Sequence, residues 1–348
     1  MSFLAHASRV RVIATGEVGT RLPLLGDAHV HLGLTDPALL LAGGIGRVQE
    51  LGWIPSVAAR WREDAAASAV RDGNRYPEIS IAGAFLTAPG GYPSDREWAP
   101  TGAVREVGNV ADAAVAVAEQ VAVGASVIKV TLNSEAGPVF DEATLVAVMA
   151  SARGAELRVV DHVEGLGQCE RAIAAHVEVL AHTPFSEVLP DALIEHAIAQ
   201  GQQWISTIDI HGYGAPDAQQ TMPLRIAVDN LRRFVALGGT VIYGTDLGNG
   251  KLPVGVNARE VRALVDAGMS VDDVMVAMTA WWGTTPSGDS LVADYFRGNE
   301  RVTFVPGPGV AENFAGSADF ADWLAHARVV NAIELEPLEP HARELEKI

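Results

Sequence analysis

Five apolar segments of the chain each end on side chains that are able to bind a metal ion. His29 and His31 are two residues apart, so in a β-strand they point to the same face and can chelate one ion. Imidazole nitrogens and carboxylate oxygens suit zinc best, although iron, manganese, nickel and cobalt also accept such ligands. These residue types therefore indicate metal-assisted chemistry, with zinc as the expected metal. The five segments are Asp27-Ala-His29-Val-His31, Val127-Ile-Lys129-Val, Val160-Asp-His162-Val-Glu164, Leu180-Ala-His182-Thr and Tyr243-Gly-Thr-Asp246.

Each of these residues has an ordinary structural explanation when it is taken alone. A strand histidine such as His162 or His182 is more often a hydrogen-bonded core residue, and Asp246 before Gly-Asn-Gly suits a turn. Lys129 alone would be expected to extend to the surface. It lies, however, in an apolar stretch of a chain in which all but three of the 25 basic residues are arginine. Structural residues have no reason to coincide at five strand ends, so their joint occurrence favours a metal site.

The elements that must position these side chains alternate between strand-like and helical patterns from about residue 22 to residue 270. That alternation predicts parallel βα units. A doubly wound open sheet uses the same units, but only in a (β/α)8 barrel do polar residues at many strand ends converge on one point. We therefore predict an α/β fold, a (β/α)8 TIM barrel over residues 23–299. The eight predicted strands are Leu24–Val30, Arg47–Leu51, Ile79–Leu86, Val127–Leu132, Arg158–His162, Glu178–His182, Trp204–Ile210 and Thr240–Tyr243.

Residues 1–22 and 300–348 fall outside the predicted barrel. Each segment contains a short alternating run, Val10–Ile13 in the first and Arg328–Ile333 in the second. Alternation with a period of two residues is typical of half-buried strands. We expect the two termini to form a small, reduced β-rich subdomain together.

The composition disfavours several classes of partner. A formal net charge of −18 argues against nucleic acid and anionic membranes, because both require a basic surface. No apolar run is long enough to span a bilayer. Cys169 is the single cysteine, so no internal disulfide is expected, and no signal-peptide pattern precedes the first charged residues, which predicts a cytoplasmic location. We expect a small-molecule substrate, and the sequence leaves the oligomeric state open, with a homo-oligomer among the options.

Taken in chain order, the motifs resemble the pattern of the amidohydrolase superfamily, closest to its prolidase-like and imidazolonepropionase-like branches. That pattern has His-x-His after strand 1, a carboxylated lysine on strand 4, histidines on strands 5 and 6, and an aspartate on strand 8. The resemblance covers about residues 22–285. Val271–Thr279 resembles the helix that follows the last barrel strand, and Gly316-Ser-Ala-Asp319-Phe resembles the return into the β-subdomain.

The resemblance implies two divalent metal ions, with Zn²⁺ as the expected pair, and N6-carboxylysine at Lys129. The carboxylated lysine and a hydroxide would bridge the ions, which lower the pKa of the bridging water and polarise the substrate carbonyl. Asp246 would accept the proton of the hydroxide and pass it to the leaving group. The implied ligands are His29, His31 and Asp246 for the buried ion and His162 and His182 for the more exposed ion.

Four further residues are candidates for contact with the substrate. His211 ends the segment predicted as strand 7, where it could donate a hydrogen bond to a carbonyl or an oxyanion and so serve as a second catalytic residue. Asn133 and Glu164 follow the ligands of strands 4 and 5 and are expected in the pocket. Tyr92, after strand 3, could place its phenol over the metals. For each of them an ordinary loop or surface position is the alternative.

The first functional hypothesis is a metal-dependent hydrolase that cleaves an amide bond by attack of the metal-bridging hydroxide. The substrate would be a dipeptide, an N-acyl amino acid or a cyclic amide, and Lys251 and Arg259 after strand 8 could bind a substrate carboxylate. The alternative is a mononuclear-metal deaminase of an amino-heterocycle, which Lys129 disfavours because a single ion needs no bridging carbamate. A non-catalytic amidohydrolase-like protein is disfavoured because the full ligand set is present.

Overall fold

The computed structural model describes residues 7–71, 75–279, 301–307, 314 and 316–338. The last part of the predicted barrel segment, residues 280–299, lies outside the described residues, as do parts of both predicted subdomain segments. The strands are β1 (Ser8–Val12), β2 (Val18–Leu22), β3 (Leu25–Val30), β4 (Ile45–Glu50), β5 (Glu78–Ile81), β6 (Phe85–Thr87), β7 (Val104–Glu106), β8 (Val127–Asn133), β9 (Arg158–Glu164), β10 (Val179–Leu180), β11 (Gln203–Ile205), β12 (Thr240–Ile242), β13 (Arg301–Pro306), β14 (Arg328–Asn331) and β15 (Leu335–Pro337).

Most strands between β3 and β12 pair in parallel, as the alternating βα pattern predicts. One sheet has the order β12-β11-β10-β9-β8-β6-β7, and the other has the order β3-β4-β5. Backbone hydrogen bonds join the two sheets on both sides. Ala28 N donates to Tyr243 O at 3.0 Å beside β3 and β12, and Ser126 N donates to Ile81 O at 2.8 Å beside β5 and β8. The fold is therefore mixed α/β, with the carboxyl ends of its parallel strands on one side.

A small apolar cluster lies along one face of the parallel strands, with members within or directly after β3, β4, β5 and each of β8 to β12. Side chains alternate along a strand, so Val127 in this cluster places Lys129 on the same face, and Val160 does the same for His162. The cluster thus forms the floor beneath the strand-end residues. Its members are Ala28, Leu51, Ala82, Val127, Val160, Val179, Ala181, Ile205 and Ile242.

The helices cover the opposite face of the strands, where the larger apolar core lies. Trp204 of β11, for example, stacks on Phe234 with ring centroids 3.8 Å apart. No helix in the described part of the chain is long and apolar enough to cross a membrane. The helices are α1 (Pro55–Arg71), α2 (Val110–Ala122), α3 (Glu142–Gly154), α4 (Gln168–Ala174), α5 (Asp191–Ala199), α6 (Thr221–Ala236), α7 (Ala258–Asp266), α8 (Val271–Thr279) and α9 (Ser317–Leu324).

The two terminal segments contribute to one antiparallel sheet, whose strand order is β14-β13-β2-β1-β15. Residues 8–22 supply two of its strands and residues 301–337 supply the other three. The alternating runs at Val10–Ile13 and Arg328–Ile333 both contribute to this sheet. Gly316-Ser-Ala-Asp319-Phe, in contrast, opens helix α9 and is not itself a strand.

Two predicted strands are wrong in extent because distant side chains bind their backbone. The strand predicted over Ile79–Leu86 divides into β5 and β6 around Gly83, whose φ is +81°, and Gln120 Oε1 accepts a hydrogen bond from Ala84 N at the break. The strand predicted over Trp204–Ile210 ends at Ile205. The Glu260 carboxylate of α7 accepts hydrogen bonds from the backbone amides of residues 208 and 209, and these residues form a 3-10 turn instead of continuing the strand.

Candidate metal centre

The six side chains that the sequence predicts as metal ligands line one cavity of about 380 Å³. They come from β3, β8 and β9 and from the residues that follow β10 and β12. Lys129 is the third residue of β8, rather than its end as the sequence pattern indicated. Each residue is buried, with 9% or less of its surface exposed. The structure therefore brings the whole predicted set together: His29, His31, Lys129, His162, His182 and Asp246.

The Asp246 carboxylate lies against the two histidines of β3. Its Oδ1 atom is 3.1 Å from His29 Nε2 and 3.2 Å from His31 Nε2, and its Oδ2 atom accepts a hydrogen bond of 2.9 Å from Asn249 Nδ2. Ligand atoms of His29, His182 and Asp246 all lie within 4.8 Å of one another. Nitrogen and oxygen donors at this spacing suit a divalent cation such as zinc.

The ring of His182 lies between those of His29 and His162. Its ring centroid is 4.7 Å from that of His29 and 4.8 Å from that of His162. The three imidazoles of His29, His182 and His162 therefore form one continuous cluster, with His182 at its centre.

The Lys129 amine is the most unusual group in the cluster. Only 1% of the residue is exposed, and within the described residues its Nζ atom has no hydrogen-bond partner. Burial lowers the pKa of Lys129 to about 8, although the carboxylates of Asp246, Asp161 and Glu50 act in the opposite direction. A buried amine without a partner is costly, which distinguishes Lys129 from an ordinary surface lysine.

Hydrogen bonds fix the orientation of two candidate ligands. His29 Nδ1 is 2.8 Å from Ala181 O, and His182 Nδ1 is 2.9 Å from Thr207 Oγ1. Because the Ala181 carbonyl can only accept, His29 donates through Nδ1 and leaves its Nε2 lone pair for a cation. Such contacts are common around metal-binding histidines, and here they hold the rings toward the cavity.

The cluster shifts the acid–base behaviour of its members. Burial alone would raise the pKa of Asp246, but the charges and hydrogen bonds of His29, His31 and His182 outweigh burial and hold that pKa well below its usual range. Burial lowers the pKa of His29 and of His182 far below the usual histidine value. At neutral pH the Asp246 carboxylate is therefore ionised, which is the form that binds a metal ion.

Some of the residues predicted to contact the substrate line the cavity, and others lie outside it. Tyr92 and Glu164 line the cavity, and the Tyr92 ring stacks on His162 at a centroid distance of 5.0 Å. Glu164 Oε2 is 3.1 Å from His162 Nε2 and accepts a hydrogen bond of 2.6 Å from Asn133 Nδ2. Asn133 is not among the cavity-lining residues. It contacts the site through Glu164 and through His162, whose Nε2 atom is 3.4 Å from Asn133 Nδ2.

His211 and Arg259 lie farther from the cluster than the sequence pattern indicates. His211 follows the 3-10 turn at the end of β11, rather than ending a strand, and its ring packs on Phe185 with centroids 4.6 Å apart. Burial lowers the pKa of His211 to about 4. Arg259 forms an ion pair with Asp209, with Nη2 2.8 Å from Oδ2. Neither residue lines the cavity.

Solved structures identify the fold, although no protein-family model and no curated protein sequence matches the chain. A Xaa-Pro dipeptidase with bound methionine is 19% identical over 91% of this chain and 87% of that chain, with a TM-score of 0.67. An amidohydrolase is 17% identical over 92% and 87%, with a TM-score of 0.63. This chain has the amidohydrolase fold. Phenylurea hydrolase B shares it, at 14% identity over 86% and 82% and a TM-score of 0.61.

Within this amidohydrolase fold, two buried acids support the candidate ligands and were not predicted as site residues. Asp27 Oδ1 accepts hydrogen bonds of 3.0 Å from both His29 N and Thr245 N, and Asp27 Oδ2 accepts one from Thr245 Oγ1. Glu50 accepts one from Gly52 N at 3.0 Å, and its Oε1 atom lies 3.7 Å from His31 Nδ1. An acidic residue inside an apolar strand segment is the sequence signal that could have identified both.

Replacing Asp27 by alanine is expected to lower the free energy of unfolding by about 3 kcal/mol or more, because two buried backbone amides and a hydroxyl lose their acceptor. Asp27→Asn keeps an oxygen for the two amides, so it should lose roughly half as much. Urea unfolding of the metal-free proteins, followed by circular dichroism, measures both values. Equal stability of Asp27→Ala and the unmodified protein would show that this carboxylate does not hold β3 to the end of β12.

Proposed function

We propose that this protein is a metal-dependent hydrolase that cleaves an amide bond of a small-molecule substrate. The observation that carries the proposal is the convergence of four imidazoles, the Asp246 carboxylate and the buried Lys129 amine on one cavity. The names of the structures with the same fold, a Xaa-Pro dipeptidase, an amidohydrolase and a phenylurea hydrolase, support the same class of reaction.

We infer that the parallel strands close into a (β/α)8 barrel over residues 23–299. The hydrogen bonds that join the two parallel sheets on both sides support closure, as does the apolar cluster to which eight strands contribute, because a barrel interior is filled by such layers. The antiparallel sheet supports the assignment of residues 1–22 and 300–348 to a β-rich subdomain.

We propose that the cluster holds two divalent ions, and zinc fits the nitrogen and oxygen donors best. When bound, the ions would lower the pKa of a water molecule and polarise the amide carbonyl. Lys129, carboxylated on Nζ, would become an anionic ligand of both ions, which gives the buried amine a function. The remaining ligands would be His29, His31 and Asp246 on one side and His162 and His182 on the other.

Asp246 is the residue that we assign to proton transfer. Its carboxylate is close to the candidate ligands His29 and His31, where the attacking water would lie, and a carboxylate placed there can accept a proton from that water. The same carboxyl group can then donate that proton to the leaving nitrogen, which is a poor leaving group until it is protonated. The Asn249 amide restrains Oδ2 during both transfers.

Four residues remain candidates for contact with the substrate. Tyr92 and Glu164 are proposed as direct contacts because both line the cavity. Asn133 would act by holding Glu164 through its 2.6 Å hydrogen bond. His211, whose ring packs on Phe185, would donate a hydrogen bond to the substrate from a neutral imidazole N–H.

The active protein is expected to contain two divalent ions per chain, because six donors are more than one four- or five-coordinate ion uses. A chelator should abolish hydrolysis, and added Zn²⁺ should restore it. Elemental analysis measures the metal content, and a panel of dipeptides, N-acyl amino acids, lactams, anilides and amino-heterocycles measures turnover.

Two histidine variants provide the control for this experiment. His182→Ala should lower the metal content to about one ion per chain, whereas His176→Ala, which removes an exposed imidazole after α4, should keep both ions. One ion per chain, with ammonia released from a heterocycle and unchanged turnover in His182→Ala, would contradict the proposal and favour a deaminase.

A further inference from the structure

Aromatic rings form much of the cavity wall beside the candidate metal ligands. Trp98 packs against Phe85 and Tyr92, with ring centroids 5.8 and 6.1 Å apart. Phe85 also lies 5.6 Å from the ring of His31. Phe185 lines the same cavity near His182, and the centroids of these two rings are 6.2 Å apart. Rings at these positions present a large apolar surface to a group attached to the reacting amide.

The same wall carries one charge outside the candidate ligands. Among the described residues that line the cavity, Glu164 is the one charged side chain beyond those six, and no arginine and no lysine other than Lys129 contributes to the lining. The Glu164 carboxylate is 26% exposed and lies at the end of β9. Beyond the candidate ligands, a bound substrate therefore meets aromatic surface and one carboxylate, whose Oε2 atom contacts Asn133 and His162.

Two arginines near this wall are bound to other groups, and Lys251, which is exposed, does not line the cavity. The Arg96 guanidinium lies 5.6 Å from the centroid of the Tyr92 ring, and its Nε atom is 3.2 Å from Asp95. Arg259 is paired with Asp209. Neither arginine lines the cavity, so neither offers an obvious counter-charge to a substrate carboxylate.

We infer that the substrate carries an aromatic or other large apolar group beside the scissile amide and is neutral or cationic there, without a carboxylate. This inference rests on the proposed amide hydrolysis. Within that function it disfavours dipeptides with a free carboxyl terminus and N-acyl amino acids, and favours aryl amides and related neutral amides. A carboxylate on the part of the substrate beside the aromatic wall, away from the metal ions, would need a cation of its own, and it would instead lie near Glu164.

Three acetanilides that differ in one distal group test the inference with a common scissile bond. They are para-ethylacetanilide, which is neutral, para-(aminomethyl)acetanilide, which is cationic, and para-(carboxymethyl)acetanilide, which is anionic. A methylene group separates the charge from the ring in each, so the reactivity of the anilide changes little. Isothermal titration calorimetry of the metal-loaded protein measures affinity, and release of the aniline measures hydrolysis separately.

The neutral and cationic compounds are expected to bind about tenfold or more tightly than the anionic compound. Glu164→Gln should reduce the ratio of cationic to anionic affinity by about tenfold. Glu135→Gln removes the same charge from an exposed position beyond β8 and should leave the ratio unchanged. Equal or tighter binding of the anionic compound, binding of none of the three, or an unchanged ratio in Glu164→Gln would each overturn the inference.

The two readouts separate this inference from the proposed function. Hydrolysis that favours the anionic compound would leave amide hydrolysis intact and overturn the substrate class. Binding in the expected charge order, with no hydrolysis of any amide in the wider panel, would support the substrate class of the cavity and contradict the proposed reaction.

Discussion

Asp246→Asn is expected to lower kcat by between about a hundredfold and ten-thousandfold, the range of general acid–base catalysis. The amide oxygen of asparagine can still ligate a cation, but the side chain cannot accept a proton from the attacking water. The variant should therefore keep most of its metal and its fold while losing turnover. Steady-state kinetics on a substrate from the panel and elemental analysis of the same sample measure the two effects.

The control for this variant is Asp266→Asn, which changes an exposed carboxylate at the end of α7 and should retain kcat. Near-normal kcat in Asp246→Asn would show that Asp246 is not the proton acceptor. A loss of both metal ions together with turnover would assign Asp246 a role in metal binding alone.

Lys129→Ala is expected to lose most of its bound metal and with it most of its activity. The change removes the group that would bridge the ions and leaves two cations without an anionic ligand between them. Acetate or formate should restore part of the metal content and activity by occupying the space of the bridge. Lys129→Arg should not respond to these anions, because arginine fills the space, stays protonated and cannot be carboxylated.

Arg225→Ala is the control, because it removes a cation from an exposed position of α6, away from the cavity. It should retain metal and activity. Full activity with two ions per chain in unassisted Lys129→Ala would contradict the carbamate bridge. Elemental analysis with and without the added anions provides the comparison.

The candidate ligands could be found from the sequence because strand geometry determines their direction. Lys129 and His162 follow Val127 and Val160 by two residues on regular strands, and the period of two places each pair on one face. The carboxyl ends of parallel strands also share one side of the fold. These two rules require only local pattern, which is why residues from distant parts of the sequence could be grouped before their distances were known.

The supporting acids could not be found in the same way, because their roles depend on contacts made across the fold. Asp27 acts on Thr245, which is 218 positions away in sequence, and Glu50 acts near His31. The end of β11 likewise depends on Glu260, a residue of α7. Buried polar groups are satisfied wherever a partner is brought to them, so periodicity does not reveal the partner.

Apart from Tyr92, the aromatic wall was also beyond prediction from pattern. Trp98 lies in the long connection between β6 and β7, where the sequence indicates no regular element, and it meets Phe85 only because that connection folds back over the cavity. Loops of this kind vary in path while the strands below keep theirs. The class of reaction could therefore be inferred from the residues of the strands, whereas the class of substrate depends on the residues of the loops.

The most direct test of the two-metal account is anomalous X-ray diffraction from crystals of the zinc-loaded protein, measured on both sides of the zinc absorption edge. The account predicts two zinc peaks about 3.5–4 Å apart, one beside His29 and His31 and one beside His162, with continuous density from Lys129 Nζ to both ions. A single peak, peaks outside this cluster, or Lys129 density that ends at Nζ beside two occupied sites would contradict it.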